Sequence, residues 1–168
     1  IISNSIGQGE ILSTPLQIAN YTAVIANRGF FYTPHIVKAI DGKPITDPQY
    51  TEPKYSKVDK KYFDIVNKGM EMVVLSGTGR RIATKSFSQE GKTGTAQNPH
   101  GKDHSIFVLI APADKPKIAV AVVVENGGYG ATYAGPIASL IAEKYLTGTI
   151  ERKAMEESIE KANFNGEY

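Results

Sequence analysis

The sequence contains no cysteine. That excludes a disulfide scaffold, thiol catalysis and any cysteine-ligated zinc or iron–sulfur site, without choosing a compartment. It also lacks a charge excess. Nineteen Lys and Arg against 17 Asp and Glu leave a net charge of +2, which argues against a nucleic-acid partner. Long apolar runs are missing as well. The longest, Ile106–Ala111 and Ile118–Val124, have strand length and are too short to span a bilayer. The chain opens Ile1-Ile2-Ser3-Asn4-Ser5-Ile6, with neither Met nor a basic leader, so the expectation is no signal peptide and a start inside a larger protein. No internal repeat or low-complexity tract is present.

What is there fits an ordinary globular domain: 168 residues, 41% hydrophobic and 21% charged. Ser13 or Thr14 can cap a first helix, with Pro15 in its first turn and Gly29 as its stop. Leu16, Ala19, Ala23 and Ala26 mark one face and Ile18, Thr22 and Ile25 a second, so the helix is expected to be buried on most sides. Phe30 to Ile40 reads as extended. Pro44, Pro48 and Pro53 mark Asp41–Lys57 as a surface excursion. A second helix follows, with Ser56 and Asp59 in a capping pattern and Tyr62, Ile65, Val66, Met70, Val73 and Val74 near helical spacing. Ser76-Gly77-Thr78-Gly79 ends it.

Three strands come next: Phe87–Gln97, His104–Ala111 and Lys117–Glu125. Their short connections force antiparallel pairing. The last two are continuously apolar, so both sheet faces need cover. The expected class is α/β (α+β): an antiparallel sheet with helices on both faces. Tyr133–Leu146 reads as a helix with Ile137, Leu140, Ile141 and Tyr145 on its apolar face. A peripheral helix, capped by Thr149 and running from Ile150 to about Asn163, is expected to close the chain. The strand Ile118–Val124 is too apolar for an open edge, which predicts a further piece of domain or another chain beside it.

Among candidate sites, Lys92-Thr93-Gly94-Thr95 leads. On a strand Lys92 and Gly94 face one side. The lysine brings fixed positive charge, and the glycine lets a ligand or a catalytic helix approach the backbone. Thr93 and Thr95 add hydroxyls, and the Thr95 N–H can serve an oxyanion. Such a set suits a ligand carrying a carboxylate and a reactive carbonyl; a polar edge strand with an incidental glycine is the bland alternative. Arg80, Arg81, Lys85 and Lys92 make the stretch locally basic, which suits either an anion or a solvated face. His100 and His104, with Asp103 between them, sit in a turn and lack a third ligand, so structural hydrogen bonding is expected rather than a metal. His35 stands alone. Gly127-Gly128-Tyr129-Gly130 fails the dinucleotide pattern and reads as a turn needing open backbone angles. Ser158-Ile159-Glu160-Lys161 is a literal S-x-x-K, but it lies in the charged terminal helix and is taken as coincidence.

Gly91-Lys92-Thr93-Gly94-Thr95-Ala96-Gln97 resembles the third signature of penicillin-binding proteins and serine β-lactamases. Its flanks agree in order and spacing across residues 1 to about 147: Ile6-Gly7-Gln8-Gly9, Thr14-Pro15-Leu16-Gln17, Ala26-Asn27-Arg28-Gly29, Gly77-Thr78-Gly79, Asp103-His104-Ser105-Ile106-Phe107, Ala111-Pro112, Val124-Glu125-Asn126-Gly127-Gly128 and Gly135-Pro136-Ile137-Ala138. The resemblance is to class B, monofunctional transpeptidases of the cell-elongation type. It implies an incomplete portion of that transpeptidase fold over residues 1–147, with 148–168 as a helical tail. It implies a D,D-transpeptidase acting on peptidoglycan stem peptides through a serine acyl-enzyme and binding β-lactam antibiotics. No cofactor is implied. The implied partners are the rest of the domain and the cell-elongation machinery; the implied location is the extracytoplasmic (periplasmic) face of the inner membrane, with an anchor upstream.

By the same resemblance Lys92 supports proton traffic and the field at the nucleophile. Thr93 and Thr95 hold the ligand carboxylate, Gly94 permits close approach, and the Thr95 N–H is one arm of the oxyanion hole. The family's S-x-x-K and S-x-N signatures both precede such a strand, and neither occurs before Lys92. The chain is therefore expected to be the C-terminal part of the domain and inactive alone. Two rival readings use the same residues: a non-catalytic peptide- or subunit-binding module, and a β-lactamase-like hydrolase or sensor.

Overall fold

The computed structural model describes residues 7–162. Thr14 opens helix α1 (Pro15–Ala26) with a reciprocal cap, its hydroxyl accepting from the Gln17 N–H while the Gln17 side chain accepts from Thr14 N at 2.8 Å. The helix buries Thr22, Ile25 and Ala26 but leaves Leu16 and Tyr21 exposed. From Ile18 to Ala26 every residue except Tyr21 is buried or half-buried, so the helix is covered on most of its sides, as its apolar pattern predicts, and its first turn is open.

The expected extended run Phe30–Ile40 is two short strands. β1 (Phe30–Phe31) and β2 (Ala39–Ile40) are separated around Thr33-Pro34. β2 turns back through Asp41 and Gly42, both at positive φ, onto β3 (Lys43–Pro44). Asp47 caps the short helix α2 (Pro48–Thr51), and β4 (Lys54–Tyr55) returns to pair with β1. The proline-rich excursion is therefore a folded surface layer.

Asp59 caps α3 (Lys60–Leu75) by accepting from Lys61 N. The buried stripe is Phe63, Asn67, Met70 and Val74, while Tyr62, Ile65 and Val66 stay exposed. Met70 and Val74 are buried as the periodicity predicts, whereas at the N-terminal half Phe63 and Asn67 take the place of Tyr62, Ile65 and Val66, since a buried asparagine is invisible to hydropathy.

β5 (Glu90–Ala96), β6 (His104–Ala111) and β7 (Ile118–Val124) form an antiparallel sheet in that order. β5 begins three residues after the expected Phe87. On one face Phe107, Leu109, Ala111 and Val120 pack with Val74, Ile82 and three alanines of α4 (Ala134–Thr147), namely Ala134, Ala138 and Ala142. On the other, Val108 and Ile110 meet Ile25, Ala26 and Met70. Helices cover both faces, as the uninterrupted apolar strands require. Each large aliphatic or aromatic side chain so buried is stabilising by about 1.5–3 kcal/mol. Of the expected apolar positions on α4, Leu140 is buried, but the residues that meet the sheet core are alanines rather than Ile137, Ile141 and Tyr145. The sheet supplies the bulk, so the helix approaches closely with small residues, and Ile141 and Tyr145 point outward. Among the described residues β7 has no second neighbour, and Val123 is 37% exposed.

The terminal helix α5 (Lys153–Glu160) starts after Arg152, without a side-chain cap, rather than after Thr149; its expected end at Asn163 lies outside the described residues. Arg152 explains this start. Its guanidinium pairs with the buried Glu143 carboxylate (Nε to Oε2, 3.1 Å) and donates to Ile82 O, Ser139 O and Ser139 Oγ. Ser139 in turn donates to Gln89 Oε1, and Gln89 Nε2 donates to Ile82 O at 2.9 Å. One buried polar network thus ties α4 and the start of α5 to the residue that precedes β5.

Candidate active site

β5 is an edge strand whose one ladder partner among the described residues is β6. Its register sets the directions of the four candidate residues. Lys92 and Gly94 pair with Val108 and Ile106 and share one face; Thr93 and Thr95 pair with Phe107 and Ser105 and share the other. Lys92 is exposed, and its Nζ donates to Thr93 O at 2.9 Å. The three atoms that a Cβ at Gly94 would meet first all belong to its ladder neighbour Ile106.

Two loops flank the threonine face. Thr78, from the Gly77–Gly79 turn after α3, brings its Oγ1 to 3.2 Å from Thr93 Oγ1. The loop after β7 lies over the strands at Gly130. A Cβ there would overlap Ile106 O and stand 2.5 Å from Gly94 O, so only glycine fits. Ser105 Oγ donates to Tyr129 O and accepts from Ala134 N, which pins the loop to the sheet and starts α4. The glycine cluster is therefore a strand-to-helix turn, as expected, with Gly128 at φ +71 and Gly130 at the close approach.

The far end of β5 is held by amides. Gln97 N donates to Gln8 Oε1 at 3.2 Å, which brings Gln8 beside the end of the strand. Asn98 Nδ2 donates to Asn126 Oδ1, and His104 Nδ1 accepts from Asn126 N. His104 thus has the structural role expected of it. His100 donates its backbone N–H to Asn98 Oδ1, and His35 Nδ1 lies 2.9 Å from Thr33 O. Of the basic stretch, Arg81 reaches Thr132 O at 3.5 Å. Ser158 Oγ donates to Met155 O, and Lys161 pairs with Glu157. The serine and the lysine of that S-x-x-K thus each bond elsewhere.

The structure gathers Lys92, Thr93, Gly94 and Thr95 on one exposed strand margin, and it adds Thr78 and Gln8. Neither addition follows from local pattern, since Thr78 lies 15 residues from Thr93 and Gln8 lies 89 from Gln97. The arrangement combines a cation, two hydroxyls and a peptide edge. Chemically it can hold an anionic, extended ligand against the strand and stabilise negative charge developing beside it.

The mixed helix-and-strand architecture is that of a penicillin-binding transpeptidase domain. The chain belongs to that family: the penicillin binding protein transpeptidase domain matches residues 1–143. Among individual proteins it is similar to the peptidoglycan D,D-transpeptidase MrdA of Acinetobacter baumannii, with 42% identity over 151 residues, 79% of this chain and 22% of that protein. Its fold is similar to that of Pseudomonas aeruginosa PBP2 solved in complex with WCK 5153, with TM-score 0.78, 39% identity, and 90% of this chain and 34% of that one covered. It also resembles Helicobacter pylori PBP2 solved in complex with MreC, with TM-score 0.70, 30% identity, and 86% and 27% covered. The chain spans roughly a quarter of the length of the curated relatives it matches.

Proposed function

We propose that this chain supplies the cationic, carboxylate-holding side of a peptidoglycan D,D-transpeptidase of the PBP2 type, and that a serine elsewhere in the same protein completes the site. The serine Oγ attacks the carbonyl of the penultimate D-Ala in a stem peptide. The C–N bond breaks, and D-Ala leaves with a proton on its amine. An amine of a second stem then attacks the ester, forms the cross-link and returns the proton to the serine. Lys92 holds positive charge beside the attacking oxygen and takes part in the proton transfers. The hydroxyls of Thr93 and Thr95 hold the terminal carboxylate, Gly94 leaves room for the donor backbone, and the Thr95 N–H receives the oxyanion. A penicillin imitates the donor and remains as the acyl-enzyme. This side alone lacks an attacking group and does not turn over.

The single observation that carries this reading is the edge position of Lys92-Thr93-Gly94-Thr95, with Thr78 Oγ1 3.2 Å from the Thr93 hydroxyl, in a chain whose relatives are named peptidoglycan D,D-transpeptidases. The implied location is the extracytoplasmic face of the bacterial inner membrane, and the implied partners belong to the cell-elongation machinery. The H. pylori relative was solved with MreC, which supports the latter. No helix among the described residues is long and apolar enough to cross a membrane.

The test uses the full-length protein with a D-Ala-D-Ala pentapeptide donor and a D-amino-acid acceptor, following exchanged product and hydrolysed donor by mass spectrometry. Lys92→Met should lower exchange on the order of 10²–10³-fold. Unchanged exchange in that variant would overturn the assignment, and hydrolysis without exchange would favour a hydrolase.

A further inference from the structure

On the Lys92 face, at the start of β5, lies a cleft of about 330 Å³ that none of the chemistry above uses. It is walled by α3, the turn after α1, the start of β5 and the β6–β7 turn. Two of its lining side chains, Glu90 and Asn67, are each only 5% exposed. Each ends in an oxygen, Glu90 Oε2 and Asn67 Oδ1, with no hydrogen-bond partner among the described residues. The Asn67 amide is oriented by its other end, since Nδ2 donates to Ile25 O at 3.4 Å. Buried acceptors are seldom left unmet. Two of them on one cleft define what an occupant must bring, which is N–H or O–H donors.

The charge around the cleft says which. Glu71 and Asp64 face it from α3 and Asp114 from the β6–β7 turn, with Glu90 itself on β5; the cations are Arg28 and Lys68. Arg28 is already committed to Asp64, Nε to Oδ1 at 2.6 Å. The Asp114 carboxyl is held below its usual range, chiefly by the Ser88 hydroxyl, and stays ionised. Among the described residues no group of three or more His, Cys, Asp or Glu is placed to hold a metal ion. The remaining requirement is a cation that donates. An ammonium group offers three N–H donors and no acceptor, and it suits acceptors on separate elements better than a planar guanidinium fork does.

We propose that this cleft is a binding site for a small organic amine, whose ammonium group donates to Glu90 Oε2 and Asn67 Oδ1 while Glu71 and Asp114 supply the surrounding negative charge. The site is independent of the transpeptidase reading, since it involves neither Lys92 nor the threonines. Burial, reinforced by Glu71 and partly offset by Arg28, pushes the Glu90 carboxyl up to about 7. An amine that requires the ionised form therefore binds more tightly as pH rises through that value, by about tenfold between pH 6 and pH 8.

The test is calorimetric titration of the full-length protein with cadaverine at pH 8, with tetramethylammonium as a cation that has no N–H. Expected are one cadaverine per chain, a loss of affinity of at least tenfold in Glu90→Gln, about tenfold weakening at pH 6, and no binding of tetramethylammonium. Glu71→Gln, a change at the rim, provides a second variant should Glu90→Gln fail to fold; it should weaken binding severalfold. Equal binding of the two cations, equal binding in the variants, or no binding at all would overturn the proposal. So would cadaverine binding only to Lys68→Met, since Lys68 would then be the occupant.

Discussion

Gly130→Ala perturbs the proposed site without touching any of its side chains. The added methyl would overlap Ile106 O and stand 2.5 Å from Gly94 O and 3.0 Å from Gly94 N. Ordinary contacts of this kind need roughly 3.5 Å, so the loop or the strand must yield by about 1 Å. The obstructing atoms are backbone of two paired strands and cannot swing aside as a side chain could. Overpacking of this sort costs about 3 kcal/mol, the upper end of its usual range. If β5 takes the displacement, Gly94 and Thr95 move relative to a bound ligand, and a shift of about 1 Å costs on the order of 10²-fold in rate. The assay is the second-order rate of acylation of the full-length protein by a fluorescent penicillin, alongside its thermal transition. Gly128→Ala is the control. Gly128 has φ +71, and a methyl added there would meet nothing within 4 Å, so the substitution should cost only about 1–2 kcal/mol of backbone strain and leave acylation within about twofold. Acylation of Gly130→Ala at the wild-type rate would refute the claim that this loop sets the strand's position.

Three further outcomes follow from the packing. Thr78→Val removes the hydroxyl 3.2 Å from Thr93 Oγ1 and should slow acylation about 5- to 10-fold, equivalent to about 1 kcal/mol, with little change in the thermal transition. Arg152→Met strands the Glu143 carboxylate, which is 1% exposed, and should destabilise the domain by about 3–5 kcal/mol in denaturant melts, much of it recovered by adding Glu143→Leu. The Glu90 carboxyl, raised to about 7 from an ordinary 4.5, binds its proton more tightly folded than unfolded. Its stability cost is absent below about pH 4.5, grows as pH rises and is complete above 7. Glu90→Gln should therefore gain little at pH 4.5 and up to about 3 kcal/mol at pH 8, read as a pH-dependent rise in melting temperature.

Much of the frame was legible in the residues. The uninterrupted apolar runs around Phe107 and Val120 forced a sheet covered on both faces, and the short links forced antiparallel order. Thr14-Pro15 and Asp59 marked helix starts because caps are local chemistry. Errors arose where tertiary partners decide. Beside the buried Leu140, α4 meets the core with alanines because Phe107 and Leu109 already fill the space, and the stripe of α3 passes through Asn67 because that amide bonds to Ile25 O. The start of α5 is set by Arg152 reaching Glu143, Ser139 and Ile82, contacts that no periodicity encodes. For the proposed site, the motif singles out Lys92, Thr93, Gly94 and Thr95, which share one strand. The two faces of β5 were predictable from strand alternation, and Gln8 and Thr78 lie in flanking motifs of the family resemblance, but their contacts with the strand, like the Glu90 cleft, emerge only from long-range packing.

The most direct measurement is a crystal structure of the full-length protein acylated by a penicillin. The account predicts the antibiotic carboxylate within hydrogen-bond reach of the Thr93 and Thr95 hydroxyls, its acyl oxygen on the Thr95 N–H, and the Lys92 ammonium beside the acylated serine. An acyl group seated away from this strand, with Lys92 pointing to solvent, would contradict it.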